Sequence, residues 1–491
     1  MTARRSLPSR PGAMTLALLT LVGLTHLFAM RSIGLSGDAA HYALYGAYPA
    51  WSYFDHPPLI GWMQALIEHL TTSNLGLRLW PLALILASSA VLYRFTRELF
   101  PEESPWLGFN AVLVLQSGIM FMLMGMSMLP DDPLLLFVLL SARALYRTIT
   151  LDQVRGWLWV GLWFGLAGLS KYTAITLVAS AIVLMISERR WSQLRTPWPW
   201  LAMLIALAAI SPVLWWNWQH GWISFRYQVF HVDNPQTNWS VHRFLVSEAI
   251  QFLAYSPGIY LFGLASAVLA LRRRGDPRMR LLLAVAAPVL ILLDASSGLR
   301  VSLPHWTAAG WAVLSIPIAY WLQRYWGTSR WLRIGTYLSA AYSLLLGAVI
   351  LSQFAAPWIP FKTNHNPLAD LYGWQQAALA AEALRTRQAH TPGTAPVLFA
   401  GDWSYASHLA WYAYPTPVQI TTHRLHQLDL WYGSPAKGAR GILVVPYQFH
   451  GNISSWRAKF GHCALAEKLP IDLHGKPATT YFLYSCRGYL N

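Results

Sequence analysis

The chain has 491 residues, of which 55% are hydrophobic and only 11% charged, with a mean hydropathy of +0.35. This balance excludes an ordinary soluble domain of that length and indicates a protein with many membrane-spanning helices. The formal net charge of +16 would suit a nucleic-acid-binding protein only if the basic residues formed one soluble patch. Because the arginines instead bracket apolar runs, we expect no nucleic-acid partner.

Eleven apolar runs are candidate membrane spans. A spanning helix needs about 17 to 25 residues, so several runs are short, and the stretch from 157 to 186 could be one bent element instead of two crossings. The runs cover residues 13–30, 79–93, 106–124, 133–146, 157–169, 173–186, 198–216, 245–271, 281–293, 305–322 and 334–353.

The basic residues predict how these runs cross the membrane. If the N terminus is cytoplasmic and all eleven runs cross, the inside loops hold nineteen arginines and the outside loops only six basic residues before residue 353. The positive-inside rule favours this orientation. We therefore expect a multi-pass protein of the cell inner membrane with its C-terminal part extracytoplasmic. The first run has no clear signal-cleavage site after it, so we interpret it as a retained span.

The most polar stretch beside an early span covers residues 37–69. It contains Asp38, and it contains Asp55 and His56 directly before two prolines. The prolines exclude a helical His56 and favour a new helix after it, so we expect two short surface helices separated by a stiff turn. Asp38 is the residue that we expect to perform chemistry, and a helix cap is its alternative role. A structural turn is the alternative for Asp55 and His56.

The next predicted exterior turn carries two adjacent acids, Asp131 and Asp132. Asp132 could cap a helix that begins at Pro133, whereas Asp131 needs a proton or a nearby cation because neighbouring carboxylates repel. Lys171 lies in an apolar stretch, which indicates a functional group unless its side chain extends to the membrane interface.

Two later exterior segments add further polar side chains. Arg226 lies in a loop rich in Trp, where aromatic rings and a guanidinium are typical of a sugar or headgroup site, although an interfacial aromatic belt would also explain the loop. Arg300 and His305 follow in the next exterior turn. The convergence of these groups predicts an exterior active site.

From about residue 355 the composition becomes more polar, and runs at 397–400 and 442–445 predict parallel-type buried strands. We expect a transmembrane catalytic domain at 1–353, with a first exterior loop at 31–78, and a small extracytoplasmic α/β domain at 354–491. Cys463 and Cys486 could form a disulfide or remain two buried thiols. The sequence contains no P-loop and no dinucleotide-binding glycine motif, which disfavours nucleotide-driven chemistry.

Several motifs in this order resemble those of bacterial members of glycosyltransferase family 39. These are enzymes of the GT-C fold, similar to protein O-mannosyltransferases and to the aminoarabinose transferase that modifies lipid A. The resemblance covers essentially the whole chain. The motifs are GDAAHY, YFDHPPLIGW, PDDPLLLF, GLSKYTAI, WNWQHGWISFRYQ, PHWTAAGW and DLYGWQQAALAAEAL.

The resemblance implies an α-helical polytopic GT-C enzyme that transfers a sugar, with inversion, from a polyprenyl-phosphate carrier to a lipid, glycan or protein acceptor. Asp38 matches the catalytic aspartate of the first loop, which the family usually follows with an acid where this chain has Ala39. Asp55 and His56 match the pair before the prolines. Asp131 and Lys171 match the second exterior aspartate and the lysine motif.

The chemistry of such a transfer agrees with these positions. A carboxylate such as Asp38 can accept the proton of the attacking hydroxyl, and cationic side chains can stabilise the departing phosphate. The candidates for the second role are His56, Lys171, Arg226 and Arg300, in that order, and His305 lies on the same side. Asp55 and Asp131 are also candidate ligands of a divalent metal ion, although no ligand spacing is diagnostic.

Two other functional classes fit parts of the sequence. A transporter or flippase of lipid-linked sugars would also have many spans and intramembrane charges, but it would be expected to show internal repeats, which this chain does not clearly show. A non-catalytic relative that binds lipid-linked sugar is the second alternative, because motifs alone do not establish activity.

Overall fold

The structure, a computed structural model, describes residues 10–232, 238–359, 361, 366–390, 395–422, 424–473 and 475–490. The chain forms two compact units. The first, here the helical unit, comprises Met1–Leu27, Trp51–Ile60 and Arg78–Leu351. The second, here the mixed unit, comprises Phe28–Ala50, Gly61–Leu77 and Ser352–Asn491. The division of the chain after residue 353 stays a prediction.

The helical unit is built from long apolar helices. Its helices are α1 (Arg10–Ala29), α4 (Leu79–Leu99), α5 (Trp106–Ser117), α6 (Ile119–Met124), α7 (Asp131–Leu145), α8 (Trp157–Ser170), α9 (Thr176–Ser187), α10 (Trp198–Gln219), α11 (Ile223–Val232), α12 (Val241–Ala254), α13 (Pro257–Arg272), α14 (Pro277–Ser297), α15 (Ala308–Tyr325) and α16 (Arg330–Ala355).

Fewer of these helices have the full length of a span than the sequence predicts. Within the described residues, six are long and apolar enough to cross a membrane, and a bent pair would make a seventh. Several of the other runs form helices of 12 to 14 residues, such as α5, α8 and α9, which are short for a bilayer. The helices therefore confirm a membrane protein, while the number of eleven crossings stays a prediction.

Two breaks divide runs that the sequence leaves continuous or ambiguous. The run at 245–271 is not one helix: α12 and α13 meet at an angle of 109°. Ser256 has a positive φ of 72° there, and Pro257 begins the next helix. Between α8 and α9, Lys171 has an extended backbone with φ −157° and ψ 145°, so the stretch from 157 to 186 forms two helices.

Ion pairs join neighbouring helices of this unit where arginines were predicted to bracket the spans. The Arg143 guanidinium of α7 donates at 2.6 Å to Glu98 of α4, and Arg280 of α14 donates at 2.9 Å to Glu188, the residue directly after α9. These side chains are partly exposed, so each pair contributes about 1 kcal/mol or less to stability. Apolar packing must therefore supply most of the stability of the bundle.

The mixed unit contains a five-stranded sheet with helices and two short segments from the first predicted loop. Its strand order is β2-β1-β3-β5-β4. The strands are β1 (Val397–Ala400), β2 (Val418–Ile420), β3 (Gly441–Pro446), β4 (Phe460–Leu473) and β5 (Lys476–Tyr489). The helices are α2 (Gly37–Ala47), α3 (Leu59–Glu68, counted from residue 61), α17 (Trp374–Ala389), α18 (Trp403–Tyr412), α19 (Gln427–Tyr432) and α20 (Ile453–Arg457).

The sheet confirms the two strands predicted from apolar runs. β1 pairs in parallel with both β2 and β3, and every residue of β3 is buried, as is typical of a strand covered on both faces. β5 then pairs antiparallel with β3 and β4. Cys463 and Cys486 face each other in the β4–β5 ladder and form a disulfide, which decides between the two alternatives left by the sequence.

The first polar stretch forms two short helices, as predicted. α2 covers Gly37–Ala47 and α3 begins at Leu59, after the His56 and proline turn. The apolar side chains Leu44 and Tyr45 of α2 are fully buried. α2 is therefore a packed element of the mixed unit, while its position on a membrane surface stays a prediction.

Candidate functional site

The helical unit contains a buried ion pair between Lys171 and Asp131. Lys171 Nζ donates to both carboxylate oxygens of Asp131, at 2.7 and 2.8 Å. Asp131 is 3% exposed and Lys171 is 7% exposed. The structure thus supplies the cation that the sequence requires beside Asp131. Because α8 ends at Ser170, the extended backbone of Lys171 lies at a helix break.

His305 and Trp306 lie beside this pair. The Nε2 atom of His305 is 3.9 Å from Asp131 Oδ2, and Lys171 Nζ lies 5.8 Å from the centre of the Trp306 ring. His56 is close enough to interact electrostatically with His305. One polar group of the helical unit therefore contains four residues predicted for the site: His56, Asp131, Lys171 and His305. We call this group the Lys171 centre.

Asp132 has a different role from its neighbour. Its Oδ2 atom accepts a hydrogen bond from the backbone N–H of Leu129 at 2.9 Å. α7 begins at Asp131, so the prediction that Asp132 caps a helix starting at Pro133 is wrong by two residues. The Asp132 side chain instead closes the turn before the helix, and this contact helps to fix the position of Asp131.

The turn that carries Asp55 and His56 is held by residues of the Trp-rich segment. Gln228 donates from Nε2 to the backbone oxygen of Asp55 at 2.7 Å, and Ser224 donates from Oγ to the backbone oxygen of Tyr53 at 2.9 Å. Asn217 in turn accepts the N–H of Ser224 at 3.1 Å. The sequence analysis did not single out these three supporting residues: Asn217, Ser224 and Gln228.

The sequence contains little that would identify Asn217, Ser224 and Gln228 as supporting residues. An Asn, a Ser and a Gln in a loop rich in aromatic residues are common, and only the hydrogen bonds to the backbone of the 53–55 turn reveal their function. Asn217 and Ser224 are fully buried, so their polar atoms must be satisfied within the protein. The turn is thereby fixed with respect to α10 and α11.

The two arginines predicted for phosphate binding differ from the Lys171 centre in their exposure. Arg226 and Arg300 are both exposed. The Arg226 guanidinium donates to the backbone oxygen of Gly221 at 2.5 Å, which holds it against the turn that precedes α11. Buried groups bind a phosphate more strongly than exposed ones because water screens them less. We therefore rank Lys171 and His305 above these arginines as candidate phosphate ligands.

In the mixed unit, Asp38 lies in the first turn of α2 and is half-buried. The N-cap of this helix is Ser36, whose Oγ accepts the N–H of Ala39 at 3.3 Å, so Asp38 does not have the capping role that was its alternative. Ala39, where the resembling family usually has an acid, is 1% exposed. Because Ala39 is not acidic, Asp38 supplies the carboxylate in the first turn of α2.

The residues considered for a metal ion do not fit one well. Among the residues that the structure describes, no three His, Cys, Asp or Glu side chains come together as a metal-binding group. Both carboxylate oxygens of Asp131 are engaged by Lys171, and a divalent metal would have to compete with that cation. We therefore derive no step through a metal ion.

Comparisons with known proteins show what the chain is similar to. Residues 55–216 match the family model described as dolichyl-phosphate-mannose-protein mannosyltransferase. The chain is 27% identical over 385 residues to the lipid A galacturonosyltransferase RgtD of Rhizobium johnstonii, covering 75% of this chain and 78% of that protein.

Two solved structures share the fold. The first is ArnT from Cupriavidus metallidurans bound to undecaprenyl phosphate, with a TM-score of 0.61, 15% identity and coverage of 96% of this chain and 97% of that one. The second is the oligosaccharyltransferase AglB from Archaeoglobus fulgidus, with a TM-score of 0.50, 12% identity and coverage of 91% and 71%. The comparisons confirm the resemblance predicted from the sequence: the chain is similar to membrane glycosyltransferases, shares the fold of the ArnT structure, and matches the mannosyltransferase family model over residues 55–216.

Proposed function

We propose that the chain transfers a sugar from a polyprenyl-phosphate donor to an acceptor hydroxyl at the exterior face of the inner membrane, with inversion at the anomeric carbon. The observation that carries this proposal is the Lys171 centre: a buried lysine, a buried aspartate and two histidines within an apolar helical unit. Burying ionisable groups costs free energy, and packing of the helices does not require such groups. Ionisable groups at membrane depth usually serve function.

The Lys171 centre has the chemistry to bind the phosphate of the donor. Lys171 has three N–H donors, and Asp131 accepts from two of them, which orients the ammonium and leaves a donor for a ligand oxygen. His305 and His56 add nitrogen donors when their tautomer or charge allows. As the bond between the anomeric carbon and the phosphate oxygen breaks, negative charge develops on the phosphate. Cationic donors in a water-poor site stabilise that charge.

Asp38 is our candidate for the general base. The acceptor oxygen attacks the anomeric carbon from the face opposite the phosphate, its proton passes to the Asp38 carboxylate, and the phosphate leaves with the electron pair of the broken bond. Asp38 lies in the first turn of α2, where the positive end of the helix dipole interacts favourably with a negative charge. A positioned base of this kind contributes about 10²- to 10⁴-fold to the rate.

The similar proteins suggest which sugar donors and acceptors to test first. RgtD acts on lipid A and transfers a galacturonosyl group, and the ArnT structure holds undecaprenyl phosphate. We therefore propose undecaprenyl-phosphate-linked sugars as donors and a lipid A-type glycolipid as the acceptor to test before glycans and proteins. A uronic acid donor and a neutral hexose donor should be compared directly.

The test is a transfer assay in proteoliposomes. Purified wild type and Asp38→Asn are incubated with a panel of polyprenyl-phosphate sugars and with lipid A or a membrane extract, and transferred sugar is measured by mass spectrometry. We expect transfer by the wild type and a loss of at least about 100-fold in the variant. Asp472→Asn is the matched control, because it makes the same change at an exposed position of the mixed unit.

Two results would contradict the proposal. Full transfer activity in a folded, membrane-inserted Asp38→Asn variant would exclude the general-base role. Movement of lipid-linked sugar between leaflets without any transfer, in wild type and variant alike, would instead support the flippase class.

A further inference from the structure

The N-terminal turn of α2 is bound by a segment more than 300 residues away in the chain. The backbone N–H of Gly34 donates to the oxygen of Leu371 at 2.8 Å, and the N–H of Gly37 donates to Asp370 Oδ2 at 3.0 Å. Asp370 and Leu371 begin the DLYGW motif, for which the reaction outlined above assigns no task. Gly37 is the residue directly before Asp38, so the motif contacts the backbone that carries the proposed base.

The hydrogen bond from the Gly37 N–H to Asp370 satisfies a backbone donor that has no partner within α2. The first N–H groups of an α-helix have no backbone partner within the helix, and the side chain of Ser36 accepts the N–H of Ala39. Asp370 accepts a second of these groups, the N–H of Gly37. A carboxylate at this place also interacts favourably with the positive end of the helix dipole. The first turn of α2 is therefore fixed from outside the helix as well as by its own N-cap.

Asp370 is itself held by His408. His408 Nε2 lies 3.1 Å from Asp370 Oδ1, and the imidazole is fully buried. Its ring stacks on the indole of Trp374, with centroids 4.5 Å apart and an interplanar angle of 7°. Burial acts to raise the pKa of Asp370, but the charge of His408 and the hydrogen bonds that Asp370 accepts outweigh it and hold the pKa below its ordinary value. The carboxylate thus stays ionised at neutral pH.

A second contact ties α2 to the helix that carries His408. His41 Nδ1 lies 2.9 Å from the Oγ atom of Ser407, in α18. The two helices approach so closely that a Cβ added to Gly37 would stand 2.9 Å from the Cβ of Ser404. The glycine is therefore required at this position by the close approach, and any side chain there would push α2 away from α18.

We propose that Asp370, held in place by His408, is a positioning residue that fixes the first turn of α2 and thereby the carboxylate of Asp38. This inference rests on the proposed function for its consequence in catalysis. The physical reason is that a misplacement of a catalytic group by about 1 Å can reduce a rate by about 100-fold. Asp370 does not touch the substrate in this proposal and acts through the backbone of residues 34–38.

The test separates positioning from mere stability by using three variants. Asp370→Ala removes the acceptor and the charge, whereas Asp370→Asn retains an oxygen that can accept the Gly37 N–H. Glu382→Ala is the matched control, because Glu382 pairs with Arg385 on the partly exposed side of α17 in the same unit. Each variant is measured for transfer kinetics, for thermal unfolding and for hydrogen exchange of the peptide covering residues 34–40.

We expect Asp370→Ala to lower kcat by about 10- to 100-fold with KM within about twofold, and to increase hydrogen exchange selectively at residues 34–40. Asp370→Asn should be intermediate in both measurements, and the control should match the wild type. Unchanged exchange at 34–40 in Asp370→Ala, or increased exchange spread evenly over the mixed unit, would overturn the inference.

Failure of the proposed function is distinguishable from failure of this inference. If the wild type transfers no sugar with any donor, the glycosyltransferase proposal fails on its own. The exchange comparison does not depend on activity, and it would still support the inference if protection were lost only at 34–40, or overturn it if protection were unchanged.

Discussion

Lys171 Nζ donates to both carboxylate oxygens of Asp131, at 2.7 and 2.8 Å, and the two residues come from separate helical segments 40 positions apart. Each of these side chains would be costly to bury alone. Together with His305, whose Nε2 lies 3.9 Å from Asp131 Oδ2, they form a charged group that the apolar helices enclose. The pair therefore links the stability of the helical unit to the site that we propose for the donor phosphate.

Substitution of one partner of this pair should destabilise the helical unit strongly. Asp131→Asn leaves the ammonium of Lys171 buried without its counter-charge, and we expect a loss of about 3–5 kcal/mol in the free energy of unfolding. The measurement is thermal unfolding in detergent. Asp152→Asn is the control: its carboxylate pairs with Arg190 near the surface, and asparagine tolerates the positive φ of 59° at that position.

Asp152→Asn should lose less than about 1 kcal/mol in the free energy of unfolding, since partly exposed ion pairs contribute little to stability. The double variant Asp131→Leu with Lys171→Met should recover much of the stability, because it leaves no unpaired charge. Equal melting temperatures for wild type and Asp131→Asn would show that the buried pair does not stabilise the unit.

The two classes of predicted cationic residues should differ in their effect on transfer. Lys171→Met removes a buried donor at the Lys171 centre, and we expect kcat/KM to fall by about 100-fold or more. Arg226→Ala removes an exposed guanidinium that contacts Gly221, and we expect a change of less than about 10-fold. Steady-state kinetics in proteoliposomes measure both values. A larger loss for Arg226→Ala than for Lys171→Met would reverse our ranking of the phosphate ligands.

Glu68 should make the stability of the mixed unit fall as the pH rises. Burial against α2, where one carboxylate oxygen of Glu68 packs against Gly46, raises the pKa of this side chain to about 8. The folded state therefore retains a proton that the unfolded state loses near its ordinary pKa of 4.5, so stability decreases between pH 4.5 and 8 and is constant outside that window.

Glu68→Gln removes this dependence. At pH 8.5 we expect the variant to be more stable than the wild type by about 1–2 kcal/mol, since one pKa unit corresponds to about 1.4 kcal/mol and partial exposure reduces the full effect. At pH 4.5 the two proteins should have the same unfolding free energy. Unfolding of the purified protein at both pH values gives the comparison, and a constant difference across pH would contradict the assignment to Glu68.

The disulfide should stabilise the β4–β5 pair of the mixed unit. It joins Cys463 and Cys486, which are 23 residues apart, and a cross-link that closes a loop of this length contributes about 3 kcal/mol by restricting the unfolded chain. We expect the double variant Cys463→Ser with Cys486→Ser to unfold at a lower temperature, and a reducing agent to lower the melting temperature of the wild type but not of the double variant. An unchanged melting temperature under reducing conditions would contradict this prediction.

The sequence by itself determined the features that depend on local composition and order. The apolar runs predicted a membrane protein, the His56 and proline turn predicted the break between α2 and α3, and the buried strands at 397–400 and 442–445 were predicted from short apolar runs. The motifs also indicated the resemblance to membrane glycosyltransferases that the comparisons confirm. Hydrophobicity and proline chemistry act within a few residues, so a linear sequence expresses them directly.

Only the tertiary structure decided which polar residues meet. No local pattern in the sequence shows that Lys171 neutralises Asp131 or that Ser224 and Gln228 hold the turn before His56. Nor does a local pattern show that Asp370 binds the first turn of α2. These contacts join residues from 40 to more than 300 positions apart. The physical reason is that a hydrogen bond or ion pair requires atoms within about 3 Å, and the packing of whole helices sets that distance.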